Sequence, residues 1–209
     1  MSVAHKIAEI LLDAKAVKLS PDAPFTWSSG WKSPIYCDNR VVLSYPEKRK
    51  FIKEALAELI KNKFPQATAI AGVATAGIPQ GALVADELNL SFAYVRPKPK
   101  DHGMGNQIEG RLETTDKVVI IEDLISTGGS SLKAAEALQK AGIEVLGMVS
   151  IFTYGFELAE ENFKNANIPL VCLSNYNTLI EVAQTKNVVS ASQIDSLNAW
   201  RVSPSNWGV

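Results

Sequence analysis

Val118-Val119-Ile120-Ile121-Glu122-Asp123-Leu124-Ile125-Ser126-Thr127-Gly128-Gly129-Ser130-Ser131 reads as a strand, an acid pair, a small-residue turn and a helix start in unbroken order. Four β-favouring apolar residues with no polar alternation describe a strand buried on both faces, as in a parallel sheet. The Ala/Leu-rich stretch that follows, residues 131–140, has helical composition. A helix start presents unpaired N–H groups and partial positive charge, and Gly and Ser let an anion approach the backbone. The two carboxylates beside it can accept hydrogen bonds from sugar hydroxyls or attract a metal-bound ligand. One loop that offers both sugar acceptors and phosphate donors suits a ribose 5-phosphate.

Strand and helix patterns alternate outward from this run. Helices are expected at residues 3–16, from Pro46 onward with Phe51, Ile52, Ala55, Leu56, Leu59 and Ile60 on one face, and at 78–88, 158–165, 178–185 and 192–200. Strands are expected at 69–73, 92–95, 145–151 and 170–173, with short β-like pieces at 25–27 and 35–37 in a segment broken by Pro21, Pro24, Gly30 and Pro34. Residues 96–115 read as a long polar loop. The order predicts an α/β fold, a mainly parallel twisted sheet flanked by helices, with a small N-terminal hood. Ligands in such folds sit outside the carboxyl ends of the strands. Three loops, 74–77, 96–110 and 122–130, should therefore share one edge.

The 209 residues, 46% hydrophobic and with a net charge of −1, describe one globular domain and argue against a disordered chain or a broadly basic nucleic-acid binder. Within it, residues 17–40 form the hood and residues 96–115 a mobile lid. No Gly-Lys-Ser/Thr occurs, and no complete G-x-G-x-x-G follows a strand, so the common nucleotide loops do not compete. Apolar runs are too short to span a bilayer, the N-terminus lacks a secretory pattern, and Cys37 and Cys172 are too few for a disulfide framework. A cytoplasmic location is expected.

A second segment carries cations. Arg96, Lys98, Lys100 and His102 recur at every second position and share one side of an extended chain, with Gly103, Gly105 and Gly110 downstream to let it swing. A mobile cationic strip suits a polyanion that is enclosed and then released.

The strand–acid pair–turn–helix run resembles the phosphoribosyl diphosphate (PRPP) signature of the type I phosphoribosyltransferases. Three further segments narrow the likeness to the orotate phosphoribosyltransferase family. Lys100-Asp101-His102-Gly103 is similar to that family's catalytic lid. The run from Phe25 through Ser28-Ser29-Gly30-Trp31-Lys32-Ser33-Pro34-Ile35-Tyr36-Cys37-Asp38-Asn39-Arg40 resembles its hood. Ala71-Gly72-Val73-Ala74-Thr75-Ala76-Gly77-Ile78-Pro79 resembles its pyrophosphate loop. Together the matches run from about residue 20 to residue 135.

The resemblance implies transfer of the 5-phosphoribosyl group from PRPP to N1 of orotate, with Mg²⁺ bridging the diphosphate and ribose hydroxyls rather than held mainly by protein. It implies catalytic roles for Lys100, His102 and Asp123. PRPP contacts fall to Arg96, Lys98, Lys100, His102, Glu122, Asp123, Leu124, Ile125, Ser126, Thr127, Gly128, Gly129 and Ser130. Ala74, Thr75, Ala76 and Gly77 form the pyrophosphate loop, and Tyr36, Cys37, Arg40 and Ser126 are expected at orotate. A homodimer, with each lid acting on its neighbour, and no nucleic-acid or membrane partner complete the expectation. His102 is either a proton donor to diphosphate or a cationic hydrogen-bond donor.

Family lysines are replaced here by Ser28, Ala76 and Pro97, with Lys32 and Lys98 nearby. The family arginine that reads the orotate carboxylate has Phe152-Thr153-Tyr154-Gly155 in its region, which leaves Arg40 as the candidate. The competing readings are another type I phosphoribosyltransferase acting on a purine base, and a PRPP-sensing regulatory protein.

Overall fold

The computed structural model describes residues 1–27, 30–98 and 107–207. Its elements run α1 (Val3–Asp13), β1 (Val17–Leu19), β2 (Phe25–Thr26), β3 (Lys32–Ser33), β4 (Ile35–Cys37), a 3₁₀ turn (Asn39–Ser44), α2 (Pro46–Lys63), β5 (Ala69–Val73), α3 (Gly77–Leu88), β6 (Ser91–Val95), β7 (Ile108–Glu109), β8 (Lys117–Ile125), α4 (Gly129–Lys140), β9 (Glu144–Thr153), α5 (Glu157–Asn165), β10 (Leu170–Asn175), α6 (Tyr176–Thr185) and α7 (Ala191–Val202). The central sheet has the order β10-β9-β8-β5-β6-β7, parallel throughout except for the β6·β7 pair. No helix among the described residues is long and apolar enough to cross a membrane.

The apolar run of β8 explains the layering. Successive side chains of a strand point to opposite faces. Val119 and Ile121 enter one core with α1, α2, α6 and α7, while Val118 and Ile120 enter a second with α4 and α5. All four are fully buried. A polar residue at any of them would lose its water without gaining a partner, which costs on the order of 1–3 kcal/mol.

Small residues bring α3 down onto the sheet. A Cβ on Gly72 would stand 2.6 Å from the Gly77 carbonyl oxygen, and one on Gly81 would stand 3.2 Å from Gly72 Cα. The turn between β5 and α3 is thereby fixed close to β8.

Two short antiparallel ribbons, β1·β4 and β2·β3, stand apart from the main sheet and form the hood region. Trp27 lies at the turn of the second ribbon rather than within its strand, with its N–H donating to Trp31 O at 2.9 Å. The expected loop at 96–115 contains a strand. Ile108–Glu109 pairs with Tyr94–Val95, because Ile108 packs on the second core and the Arg96 N–H and Gln107 carbonyl meet at 2.9 Å. The acid pair lies inside β8, which runs on to Ile125, and not in the loop after it.

Candidate active site

The parallel strands β5, β6 and β8 end on one edge, so the described starts of the three expected loops share it. Pro99, Lys100, Asp101, His102 and the residues to Asn106 lie outside the described residues, as do Ser28 and Ser29.

The two carboxylates have different surroundings. Glu122 is 7% exposed, and both its oxygens are engaged internally: Oε1 accepts from the Asp123 N–H at 3.0 Å and Oε2 from Ser131 Oγ at 3.0 Å. Burial, and then the neighbouring Asp123 charge, push Glu122 up to about 8. Asp123 is raised less, by burial, against the pull of its hydrogen bonds and of Arg40. Glu122, the more buried of the two, is the member pushed toward holding a proton near neutral pH. Asp123 is the member suited to accept from a ligand, with Glu122 bracing the strand end against α4.

Asn39 ties the hood to this point. It is 1% exposed, and its Nδ2 donates to the Asp123 carbonyl at 2.7 Å while its Oδ1 faces Cys37 Sγ at 3.3 Å. Burial and the nearby Asp123 push the Cys37 thiol well up, so it is a neutral wall group. Sequence reasoning passed over Asn39, since a lone Asn after Asp38 looks like turn chemistry.

Ser126 and Thr127 lead into α4, whose N-cap is Gly128 with φ +80°. That left-handed conformation favours glycine, and a Cβ there would also sit 2.6 Å from Phe163 Cε2. No side chain caps this helix, so the first-turn N–H groups at Gly129 and Ser130, both exposed residues, are open as donors for an anion. Asn162 Nδ2 anchors the loop through the Thr127 carbonyl at 2.9 Å. Leu124 lines the cleft, but the Ile125 side chain is fully buried in the second core because it occupies the opposite phase of the strand. Ile125 thus contributes to the site only through its backbone, its carbonyl accepting from the Tyr154 N–H at 3.1 Å.

The pyrophosphate-type loop, with Thr75 and Ala76, crosses from β5 to α3. The Ala74 N–H donates to the Val95 carbonyl at 2.9 Å, and the Ala74–Thr75 peptide is cis. At the next strand end Arg96 Nη1 lies 3.3 Å from Glu109 Oε1, and Lys98 is exposed.

Between hood and sheet edge opens a cavity of about 650 Å³ walled by Trp27, Trp31, Tyr36, Cys37, Leu124 and Tyr154, with Thr26, Ser126 and Thr127 as its hydroxyl side. Trp27 and Tyr154 rings stand 5.4 Å apart, and both pack against Trp200 of α7 at 5.7 and 5.5 Å. Burial holds the Tyr154 hydroxyl protonated far above its ordinary range. A flat, polar-edged ring fits such a slot, whose Ser126 and Thr127 side leads in the chain to the start of α4. Arg40, the expected carboxylate reader, is not in this wall. Its Nε and Nη2 are bound by Asp38 at 2.7 and 2.9 Å, a two-point pair that occupies the fork and offsets its charge. Among the described residues, no group of three or more His, Cys, Asp or Glu is placed to hold a metal.

The chain is similar to known proteins. A family model for the phosphoribosyl transferase domain matches residues 42–175. The chain is 57% identical to an orotate phosphoribosyltransferase of Cytophaga hutchinsonii over 99% of each chain. It is 59% identical to that of Bacteroides thetaiotaomicron, covering 96% of this chain and 94% of the relative. Among solved structures, the orotate phosphoribosyltransferase of Aeropyrum pernix aligns with a TM-score of 0.70 at 29% identity, over 84% of this chain and 97% of that one. With the acid pair, uncapped helix start and aromatic slot on one edge of the sheet, the chain belongs to the orotate phosphoribosyltransferase family.

Proposed function

We propose that this chain transfers the 5-phosphoribosyl group of PRPP to N1 of orotate, giving orotidine 5′-monophosphate and diphosphate, a step of pyrimidine nucleotide synthesis. The observation that carries the reading is the aromatic slot lined by Leu124, Ser126 and Thr127, residues of the segment that joins Asp123 to the uncapped start of α4, in a chain 57% identical to an orotate phosphoribosyltransferase.

The ribose 5-phosphate binds the N–H groups from Ser126 to Ser130, and Asp123 accepts from the ribose hydroxyls. Orotate stacks in the slot beside Tyr36 and Cys37, its polar edge toward Ser126 and Thr127. The bond from C1 of the ribose to the diphosphate oxygen breaks, the bond from C1 to N1 forms, and the N1 proton passes, directly or through water, to the departing diphosphate. Negative charge gathers on the leaving diphosphate, and the ribose takes on oxocarbenium character. Thr75, Ala76 and Gly77 lie on the diphosphate side, and Arg96, Lys98, Lys100 and His102 neutralise that charge. Enclosing the site also keeps water from the sugar.

The hard carboxylate of Asp123 would help to hold, through water, a Mg²⁺ brought in by the substrate. When bound it offsets phosphate charge. The working unit is a homodimer in which each strip from Arg96 to His102 covers the neighbour's PRPP, in the cytoplasm.

The test is product formation from PRPP and Mg²⁺ with orotate set against uracil, adenine, hypoxanthine and guanine. Preference for orotate is expected. Turnover of purines alone, or equal turnover of uracil, would overturn the assignment.

A further inference from the structure

We propose that Arg201, on the C-terminal helix α7, reads the carboxylate that distinguishes orotate from a neutral pyrimidine. The inference rests on orotate being the acceptor. A carboxylate entering an aromatic slot loses water and needs a cation with N–H groups aimed at it. Among the described residues, the wall of the 650 Å³ cavity holds no cationic side chain. Arg40 is occupied by Asp38, and Lys32 is exposed with its Nζ on Thr26 Oγ1 at 2.8 Å.

A second cavity of about 310 Å³ adjoins the first, sharing Trp31 and Thr127 as walls, and Arg201 lines it. The sequence places this arginine far from every recognised motif, and the fold brings it back. Trp200, fully buried against Trp27 and Tyr154, fixes the backbone one residue earlier. Arg201 Nη2 donates to the Gly155 carbonyl at 3.0 Å, so the guanidinium lies over the residue that follows Tyr154 in the slot wall.

Gly155 has φ +67°, and a Cβ there would stand 3.4 Å from Arg201 Nη2 and 3.7 Å from Nε. Glycine thus leaves room for the guanidinium to lie close against the strand end. Among the described residues Arg201 makes no ion pair, although Glu157 lines the same cavity. Nη2 and Nε lie nearest Gly155, so the opposite edge, Nη1 with the second Nη2 N–H, is left for the two oxygens of a carboxylate. The fold therefore supplies from α7 the positive charge absent from the Phe152–Gly155 turn.

Steady-state kinetics decide the matter. Arg201→Gln should raise the orotate KM roughly 10- to 100-fold at saturating PRPP, the range of a hydrogen-bonded charge pair, and leave the PRPP KM unchanged. The preference for orotate over uracil should shrink by the same factor. Arg201→Lys, which keeps the charge and loses the fork, should fall between, and it carries the test if the glutamine variant does not fold. A wild type inactive on orotate overturns both the functional reading and this one. A wild type active on orotate overturns this inference alone if the variants leave the orotate KM unchanged or raise both KM values equally. The same holds if Arg40→Ala produces the selective orotate effect instead.

Discussion

Replacing Glu122 with glutamine should stabilise the protein, and by an amount that grows with pH. The amide has the shape of the protonated carboxyl. Its oxygen can accept from the Asp123 N–H, and its NH₂ can donate to Ser131 Oγ, so both internal contacts survive. Below about pH 4.5 the folded and unfolded chains both keep the wild-type proton, and its contribution to stability is complete. Above that the unfolded chain has released the proton while the folded chain retains it, so wild-type stability falls with rising pH until Glu122 ionises at about 8. At ~1.36 kcal/mol per pH unit, this amounts to about 3 kcal/mol at pH 7 and about 4 kcal/mol at pH 8, with Glu122 7% exposed and little room for solvent screening. Glutamine carries no such penalty. Urea unfolding of both proteins across about pH 5 to 9 measures the gap directly. Glu122→Gln should gain on wild type by roughly 1.4 kcal/mol per pH unit up to about pH 8 and then level off. Parallel stability profiles for the two proteins would refute the argument that Glu122 is buried with its proton.

Asp123→Asn, by contrast, removes the carboxylate that faces the ligand, and calorimetric titration with PRPP and Mg²⁺ should show affinity reduced at least tenfold with the fold intact; an unchanged titration would return Asp123 to a purely structural role. Gly77→Ala places a methyl group on the Ile121 carbonyl oxygen, backbone that cannot yield cheaply, and should destabilise by roughly 1–3 kcal/mol or more in a thermal melt. Subunit mixing tests the shared lid: Lys100→Ala and Asp123→Asn chains, each nearly inactive, should recover about a quarter of wild-type activity after exchange, because half the dimers are mixed and each holds one intact site. Verified exchange without recovery would place the lid on its own chain or relieve these residues of their roles.

The central strands were legible because β8 is apolar without alternation, and only a strand with helices on both faces can bury such a run. Ala69–Val73, buried along its whole length, was readable for the same reason. Ile108–Glu109 was not, since two residues carry no periodicity and their pairing depends on a partner across the 96–107 segment. At the site, the order of Glu122, Asp123, Thr127 and Gly128 signalled a sugar-phosphate loop. The inequality of the two carboxylates did not appear there, because it depends on Ser131 reaching back to Glu122 and on burial. Asn39 and Arg201 escaped notice because each acts on backbone distant in sequence, at Asp123 and Gly155. Arg40 was the candidate in the hood run because the carboxylate contact was otherwise unassigned, and its two-point pairing with Asp38 could not be read from the sequence.

Three of the four tryptophans, at positions 27, 31 and 200, gather around the aromatic slot: two line it, and the third lies edge-on to Trp27 at 5.7 Å. Indole emission responds to the polarity and the quenching groups around the ring. The protein therefore carries its own optical gauge, in which water leaving the slot, or a ring arriving in it, changes the light emitted by residues that already form its walls. Occupancy can be followed in unlabelled protein during a single turnover, and a Trp200→Phe chain would separate the colour of the wall from the colour of the helix behind it.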